Sequence, residues 1–204
     1  MKVQEKNSAK KPEFSQCKTS RGPNSFNDKL PITFKHTFGC GLLRIWGYPS
    51  AMKPIIQIVN MTKAHIIELA DTMRDEDAHE AYSLGSTPLQ LLQESYSNSL
   101  IRRTALVDGK VTACWGVCGD MLGKTGAPWL VTSKEVGKCS PITYAYIYRE
   151  EVKKMAKLFP ILENWVEASY FTSIRLLQLV GFEVQEALPH GPNNVLFRKL
   201  RWVA

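Results

Sequence analysis

Residues 161–182 change their hydrophobic period midway, and this change constrains the fold more than any other stretch of the chain. A short apolar run typical of a buried strand comes first: Ile161, Leu162, Trp165 and Val166. Ile174, Leu177 and Val180 then recur at helical spacing, with Ser169 or Thr172 available as the N-cap. Gly181 ends the helix, because glycine adopts a positive φ without steric cost. The segment therefore predicts a strand, a helix and a second strand in close succession.

The charge of the chain is concentrated at its N-terminal end. Residues 1–51 hold nine Lys or Arg and three Asp or Glu, a balance of +6, whereas residues 52–204 hold seventeen and sixteen, a balance of +1. Residues 1–36 are also poor in large apolar side chains. We therefore expect a basic, largely disordered extension over 1–51 and one compact domain over 52–204. Only the extension has the charge to attract nucleic acid, and a solvated leader explains it equally well.

Five cysteines in no regular spacing do not suggest a disulfide framework. Cys114 and Cys118 miss the redox and zinc spacings by one residue, so no metal site is predicted and reduced thiols in the cytoplasm are expected. Cys139 follows two lysines and precedes a predicted helix, which makes it a candidate for a more reactive thiol. No apolar run approaches the ~20 residues of a membrane helix, and residues 1–12 do not read as a secretory signal.

The remaining patterns predict an α+β domain. Strands are expected at 55–59, 103–107, 111–117, 128–132, 162–168, 183–187 and 195–200, and helices at 63–73, 88–97 and 142–159 and over the periodic part of 161–182. Asn60 or Thr62, Thr87, and Ser140 are the expected caps of the first three helices. Residues 74–80 read as a charged connection.

This order of elements resembles the GNAT acetyltransferase superfamily over about three quarters of the chain. The resemblance implies a central mixed, twisted sheet of six to seven strands with helices on both faces. It also implies a splay between the two central parallel strands, 128–132 and 162–168. Within the superfamily the chain is most similar to the GNAT-like internal virion protein A family of short-tailed phages. Two motifs carry that closer resemblance, W-L-V-T-S-x-x-V at 129–136 and S-I-R-L-L-x-x-V-G at 173–181.

The resemblance implies that acetyl-CoA lies in the splay, with its pyrophosphate at the N-terminus of the helix that follows the first central strand. The cofactor-binding residues that it implies are Val131, Thr132, Ser133, Lys134, Gly137, Lys138, Ile142, Thr143, Tyr170 and Ser173. However, Ser140-Pro141 stands where the family usually has a second glycine. A well-capped helix beside solvated lysines accounts for the same residues.

Catalysis by the family usually involves a tyrosine that protonates the departing thiolate. Leu177 occupies that position here, and leucine cannot donate a proton. Three residues are candidates for the base that deprotonates the amine, in the order Glu167, Asp120 and His190. Each is explained as well by an exposed strand end or a loop. The acidic stretch from Asp75 to His79 lies where the family binds its acceptor, and it is explained as well by a solvated connection.

Three functions remain open at this point. The first is an acetyl-CoA-dependent N-acetyltransferase, in which an unknown amine attacks the thioester directly. The second is a non-catalytic descendant of the fold that binds phage structural proteins, in the host cytoplasm or in the virion. The third and weakest is nucleic-acid binding through residues 1–51.

Overall fold

A computed structural model describes residues 54–204, together with the backbone of residues 32 and 33. The strands are β1 Ile32–Thr33, β2 Ile56–Asn60, β3 Ser99–Val107, β4 Lys110–Cys118, β5 Thr125–Thr132, β6 Ile161–Glu167, β7 Glu183–His190 and β8 Val195–Val203. They form one sheet in the order β1-β2-β3-β4-β5-β6-β8-β7. Only β5 and β6 pair in parallel among these strands. The predicted mixed sheet is confirmed, with the two-residue β1 added at one edge.

Helices cover both faces of this sheet. They are α1 Lys63–Thr72, α2 Asp75–Ser83, α3 Pro88–Asn98, α4 Pro141–Ala156 and α5 Phe171–Val180, and a 3₁₀ turn at Lys134–Lys138 precedes α4. On one face, α4 and α5 pack against Trp115 and Val117 of β4. On the other, α1 and α3 pack against Val111 and Cys114 of the same strand. The pairing of β3 with β4 shifts register between Ala105 and Leu106, opposite residues 111–113, so Val111 faces the same side as Cys114 and β4 supplies both cores. The predicted α+β class is confirmed.

Local sequence signals set most element boundaries. Thr62 and Thr87 cap α1 and α3, and each completes a capping box with the residue three positions later. Asp108 and Gly109 have φ values of 50° and 79°, as the two-residue turn between β3 and β4 requires. Gly181 ends α5 with φ 117°, in the left-handed region that favours glycine.

Three predictions about the helices are wrong. Residues 75–83 form α2 instead of a connection, because three carboxylates in its first turn face the positive end of the helix dipole. Ser140 forms no side-chain cap on α4. Tyr170 occupies the N-cap of α5, so neither Ser169 nor Thr172 caps that helix. The division of the chain at residue 51 stays a prediction, because residues 1–31 and 34–53 lie outside the described residues.

Candidate active site

The sheet opens between its two central strands. β5 and β6 are paired only at their first residues, Thr125 with Ile161 and Gly126 with Leu162. Beyond that point β5 follows β4 as far as Thr132, while β6 follows β8 as far as Glu167. The two strands therefore diverge towards their carboxyl ends. The predicted splay is confirmed.

Asn164 bridges the root of this splay. Its Nδ2 group donates to the carbonyl of Pro128 on β5 at 2.6 Å, and its Oδ1 accepts from the amide of Trp165 on β6 at 2.8 Å. These two main-chain groups face the gap, where the strands are too far apart to pair with each other. One side chain thus satisfies a polar group on each strand. The sequence analysis missed Asn164, because no local pattern marks such a bridge.

Helix α2 closes the open end of the splay. On the β5 side, the Asp77 carboxylate accepts from the amide and the hydroxyl of Thr132, at 2.8 and 2.7 Å. On the β6 side, the amide of Glu167 donates to the carboxyl group of Glu80. Burial, followed by the negative charges of Asp77 and Glu167, raises the pKa of Glu80 to about 8. Two carboxyl groups of one helix therefore hold the ends of both central strands.

The β5 register decides which main-chain groups face the gap. The amide of Ser133 donates to Thr112 on β4 at 2.9 Å. Because such bonds alternate along an antiparallel pair, Val131 also points to β4, whereas Leu130 and Thr132 point into the gap. Of the predicted residues Val131, Thr132 and Ser133, only Thr132 presents its amide there, and Asp77 already accepts from it. Leu130, which the sequence analysis did not name, presents its amide to the gap.

The N-terminus of α4 lies beyond the end of β5. The amides of Ile142 and Thr143 are in its first turn, where helix geometry provides no partner, and Ile142 is 77% exposed. A Cβ at Gly137 would meet nothing within 4 Å, so packing does not require glycine there. This terminus is open to an anion, and the residues present are compatible with a diphosphate.

The two lysines beside this terminus are paired. Lys134 Nζ lies 2.7 Å from Asp75 Oδ1 of α2, and Lys138 forms an ion pair with Glu135. Both side chains are also more than half exposed, as the alternative of solvated lysines expects. Pairing lowers the positive charge that they offer to an anion at this terminus.

Glu167 lies at the end of β6, beside a cavity of about 430 Å³. The cavity is lined by Asp75, Glu76, His79, Glu167, Ser169 and Tyr170. The Glu167 side chain is only 8% exposed, and its Oε1 accepts from the Ser169 hydroxyl at 2.7 Å. Its Oε2 lies 3.2 Å from Nδ1 of His79, which is also 2.8 Å from the Tyr170 hydroxyl. The structure thus joins a predicted base to a histidine 88 positions away in sequence.

The other two candidate bases are not brought to Glu167. Asp120 lies in the turn before β5, near the paired end of the splay, and its Oδ1 accepts from the amide of Leu122 at 3.0 Å. The ring of His190 stacks on Trp165 with 4.4 Å between centroids, and burial lowers its pKa. The contacts of Asp120 and His190 are those of a turn and of a packed ring.

The remaining predicted residues lie at the N-cap of α5, on α5 itself, and at Cys139 before α4. Tyr170 is the N-cap of α5, and Ser173 accepts from the Arg74 guanidinium at 3.0 Å. Leu177 is half-buried and packs against the core beneath α4 and α5. Cys139 is buried, and burial raises the pKa of its thiol, so the prediction of a reactive thiolate is wrong. Within residues 54–204, Cys114, Cys118 and Cys139 form no disulfide.

None of the helices in the described part of the chain is both long enough and apolar enough to cross a bilayer.

Comparison with known proteins identifies the fold. No family model matches the sequence, and no curated protein matches it either. Solved structures do match. AAC(6')-Ib in complex with ribostamycin and coenzyme A is 14% identical, with a TM-score of 0.54 over 72% of this chain and 93% of that chain. The ribosomal-protein-alanine N-acetyltransferase from Brucella melitensis is 17% identical, with a TM-score of 0.54 over 72% and 99%.

A GNAT-family acetyltransferase from Bacillus anthracis is 9% identical, with a TM-score of 0.55 over 72% of this chain and 94% of that chain. At such identities the likeness concerns the path of the backbone. The chain therefore has the fold of the GNAT acetyltransferases.

Proposed function

We propose that this protein is an N-acyltransferase that uses an acyl-CoA as donor, most simply acetyl-CoA. The observation that carries the proposal is the splay, in which β5 and β6 part after two residue pairs and a buried carboxylate, Glu167, lies at the open end. A packed sheet gains hydrogen bonds by keeping such strands together. Their separation beside a helix N-terminus supports a site for an extended, anionic donor.

The donor would be held by main-chain groups more than by side-chain charge. The pantetheine arm would lie along β5, where Leu130 presents its amide to the gap. The diphosphate would lie at the first turn of α4, near Gly137, Lys134 and Lys138. The amide of Thr132 would donate to the bound acyl-CoA once the Asp77 carboxylate no longer accepts from it. Val131 and Ser133 would position β5 through their bonds to β4, and Tyr170 and Ser173 would line the α5 side.

The chemistry would be a direct attack of an amine on the thioester. The amine nitrogen forms a bond to the acyl carbon, the C–S bond breaks, and the amine proton passes to the cluster around Glu167. The Leu130 amide is placed to polarise the thioester carbonyl. Since Leu177 supplies no proton, the thiolate would take one from water, which would lower the rate by ~10²-fold relative to a dedicated acid.

The acceptor would be a cationic amine. Asp75 and Glu76 line the cavity in front of Glu167, and their charges would attract a protonated amine from solution. Lys134 offsets part of this charge through its ion pair with Asp75. The preference would therefore weaken as the ionic strength rises.

A thermal-shift titration with acetyl-CoA tests this proposal. Ligand at a hundred times its dissociation constant should stabilise the folded state by about 2.7 kcal/mol. Dephospho-CoA should shift the midpoint less, and free pantetheine least, if the α4 terminus holds the diphosphate. An unchanged midpoint with millimolar acetyl-CoA would reject the enzyme.

A second candidate function is a non-catalytic phage particle protein, built on the same fold. Two observations favour it. Leu177 packs against the core at the position where the family has its tyrosine, and the Thr132 amide already donates to the Asp77 carboxylate. Assembly with phage structural proteins would then replace cofactor binding. Failure to bind acetyl-CoA, with recovery of the chain in purified particles, would favour this candidate.

A further inference from the structure

We propose that His79, and not Glu167, accepts the proton of the attacking amine, and that Glu167 positions His79 for this role. The inference rests on the acyl-transfer function proposed above. It concerns two residues from different elements, α2 and β6, that the fold joins at the cavity. His79 would be the catalytic residue, and Glu167 a positioning residue that acts through it.

Glu167 is poorly placed to meet an amine. Its side chain is only 8% exposed, and both of its oxygens already have partners. Oε1 accepts from Ser169 at 2.7 Å, and Oε2 faces His79 Nδ1 at 3.2 Å. The Tyr170 hydroxyl is hydrogen-bonded to the same carboxylate. A base must come within hydrogen-bond reach of the proton that it removes, and here Glu167 is surrounded by donors of its own.

His79 has the opposite arrangement. Its side chain is 62% exposed and lines the cavity, although Nδ1 faces inward to Glu167 and Tyr170. Because the two ring nitrogens point to opposite sides of the imidazole, the inward Nδ1 leaves Nε2 directed away from the carboxylate. An imidazole oriented in this way by a carboxylate is a recurring proton acceptor in enzymes.

Glu167 and Tyr170 together decide which nitrogen carries the proton. Nδ1 lies 3.2 Å from Glu167 Oε2, and an ionised carboxylate oxygen can only accept; it also lies 2.8 Å from the Tyr170 hydroxyl oxygen, which can accept as well. Burial and the charge of Glu167 raise the pKa of Tyr170, so the hydroxyl keeps its proton at neutral pH. The neutral imidazole therefore carries its proton on Nδ1 and has its lone pair on Nε2.

Titratable groups face His79 from three elements. Asp75 and Glu76 precede it on α2 and line the same cavity, and Glu167 faces it from β6. Glu80 follows it on α2, and Tyr170 faces it from the start of α5. Lys134 and Arg74 are each held in ion pairs with carboxylates of α2. Proton transfer to Nε2 would therefore create a cation whose Nδ1 lies 3.2 Å from Glu167 Oε2.

The transfer balances without any further reactant. The neutral amine forms the C–N bond, the C–S bond breaks with its electron pair on sulfur, and the amine proton moves to Nε2 of His79. His79 then releases that proton to solvent, and the thiolate takes one from solvent. The products are an amide and a free thiol.

Four single variants of the full chain test the inference. His79→Gln removes the base, and Glu167→Gln removes the positioning charge. His65→Gln and Glu163→Gln are matched controls: glutamine at 65 can still complete the α1 capping box, and Glu163 pairs with Lys199 and Arg201 on β8.

Release of CoA thiol from acetyl-CoA is followed over pH 5.5–9 with spermidine, ribostamycin and an alanyl dipeptide as amines. Nitrogen-15 NMR of the imidazoles reports the tautomer of His79 in each protein.

We expect His79→Gln to lower kcat/KM about 100-fold and to abolish the rise of the rate with pH. We expect Glu167→Gln to move that rise to lower pH and to reduce the Nδ1-protonated tautomer, with acetyl-CoA binding retained in both. Turnover and pH dependence that survive in His79→Gln but are lost in Glu167→Gln would overturn the inference.

The two proposals fail in different ways. An absence of acetyl-CoA binding by the wild-type chain rejects the proposed function, whatever His79 does. If the wild-type chain binds acetyl-CoA but acetylates none of the three amines, the tautomer decides: Nδ1–H supports the arrangement, and Nε2–H overturns it.

Discussion

Asp77 shows how much one side chain can decide in this fold. Its carboxylate is 12% exposed and accepts from Arg74 at 2.7 Å as well as from the amide and hydroxyl of Thr132. These bonds tie α2 to β5 and remove the Thr132 amide from the splay. The same residue therefore stabilises the packing of α2 and makes the Thr132 amide unavailable to an acyl donor in the splay.

Replacing Asp77 by alanine should lower the free energy of unfolding by about 1–3 kcal/mol, because the amide and hydroxyl of Thr132 lose their acceptor and Arg74 keeps only Glu76 and Ser173 as partners. Urea unfolding measures this change. Asp75→Ala is the control, since Asp75 is 85% exposed and its ion pair should contribute no more than about 1 kcal/mol. Equal losses in the two variants would show that Asp77 acts as an ordinary surface charge.

Glu80 predicts a pH dependence of stability. Burial, with Asp77 and Glu167 nearby, raises its pKa to about 8 in the folded protein, above the ordinary value of 4.5. The folded state then holds a proton that the unfolded state releases between these two values, so this residue's contribution to stability falls as pH rises from about 5 to 8. Glu80→Gln should flatten that decline and make the protein relatively more stable at pH 8. Urea unfolding at pH 5, 6, 7 and 8 compares the two proteins, and parallel curves would contradict the assignment.

At the scale of elements, the central strands are held apart at one end and together at the other. Thr125 and Gly126 pair with β6, Asn164 then spans the widening gap, and α2 reaches both strands beyond it. The splay is thus a built feature in which side chains replace the missing strand pairing. An open edge without them would leave unpaired main-chain groups inside the protein.

Asn164→Ala should destabilise the protein by about 1–3 kcal/mol, because the carbonyl of Pro128 and the amide of Trp165 lose their partner. Amide hydrogen exchange checks the location of the effect: the Trp165 amide should exchange faster, while Val166, on the β8 side of β6, should change much less. Uniformly faster exchange along β6 would mean that Asn164 supports the whole strand instead of the gap.

At the scale of the molecule, the described residues 54–204 contain two hydrophobic cores, one on each face of the sheet. One core joins β4 to α4 and α5, and the other joins it to α1 and α3. The basic segment 1–51 differs from this part of the chain in composition, since residues 1–36 are poor in large apolar side chains. The fold should therefore not depend on that segment for its stability.

A chain beginning at Met52 should unfold in a single cooperative transition, with a midpoint within a few degrees of that of the full chain. Circular dichroism on heating compares the two proteins. Loss of the transition would show that residues 1–51 contribute to the fold, for instance through the pairing of β1 with β2.

The local parts of this protein could be predicted from sequence because each is specified by adjacent residues. The caps Thr62 and Thr87, the Asp108-Gly109 turn and the Gly181 helix end all depend on φ angles or hydrogen bonds within a few positions. The period change in residues 161–182 predicted β6 and α5 for the same reason. The GNAT resemblance predicted their arrangement and the splay, because it supplies long-range order that no local pattern contains.

Tertiary structure alone decided what lies in and around the splay. Three contacts show this. The contact of His79 with Glu167 joins segments that are distant in sequence. The hydrogen bonds of Asn164 to Pro128 and of Thr132 to Asp77 replace strand hydrogen bonds. A residue such as His79 is an unremarkable polar position until α2 forms and packs against β6. Sequence by itself determined the elements other than α2 and β1, the class of fold and the position of Glu167 at a strand end. The partners of Glu167, and with them its chemistry, depend on packing, because hydrogen bonds act over about 3 Å in space irrespective of separation along the chain.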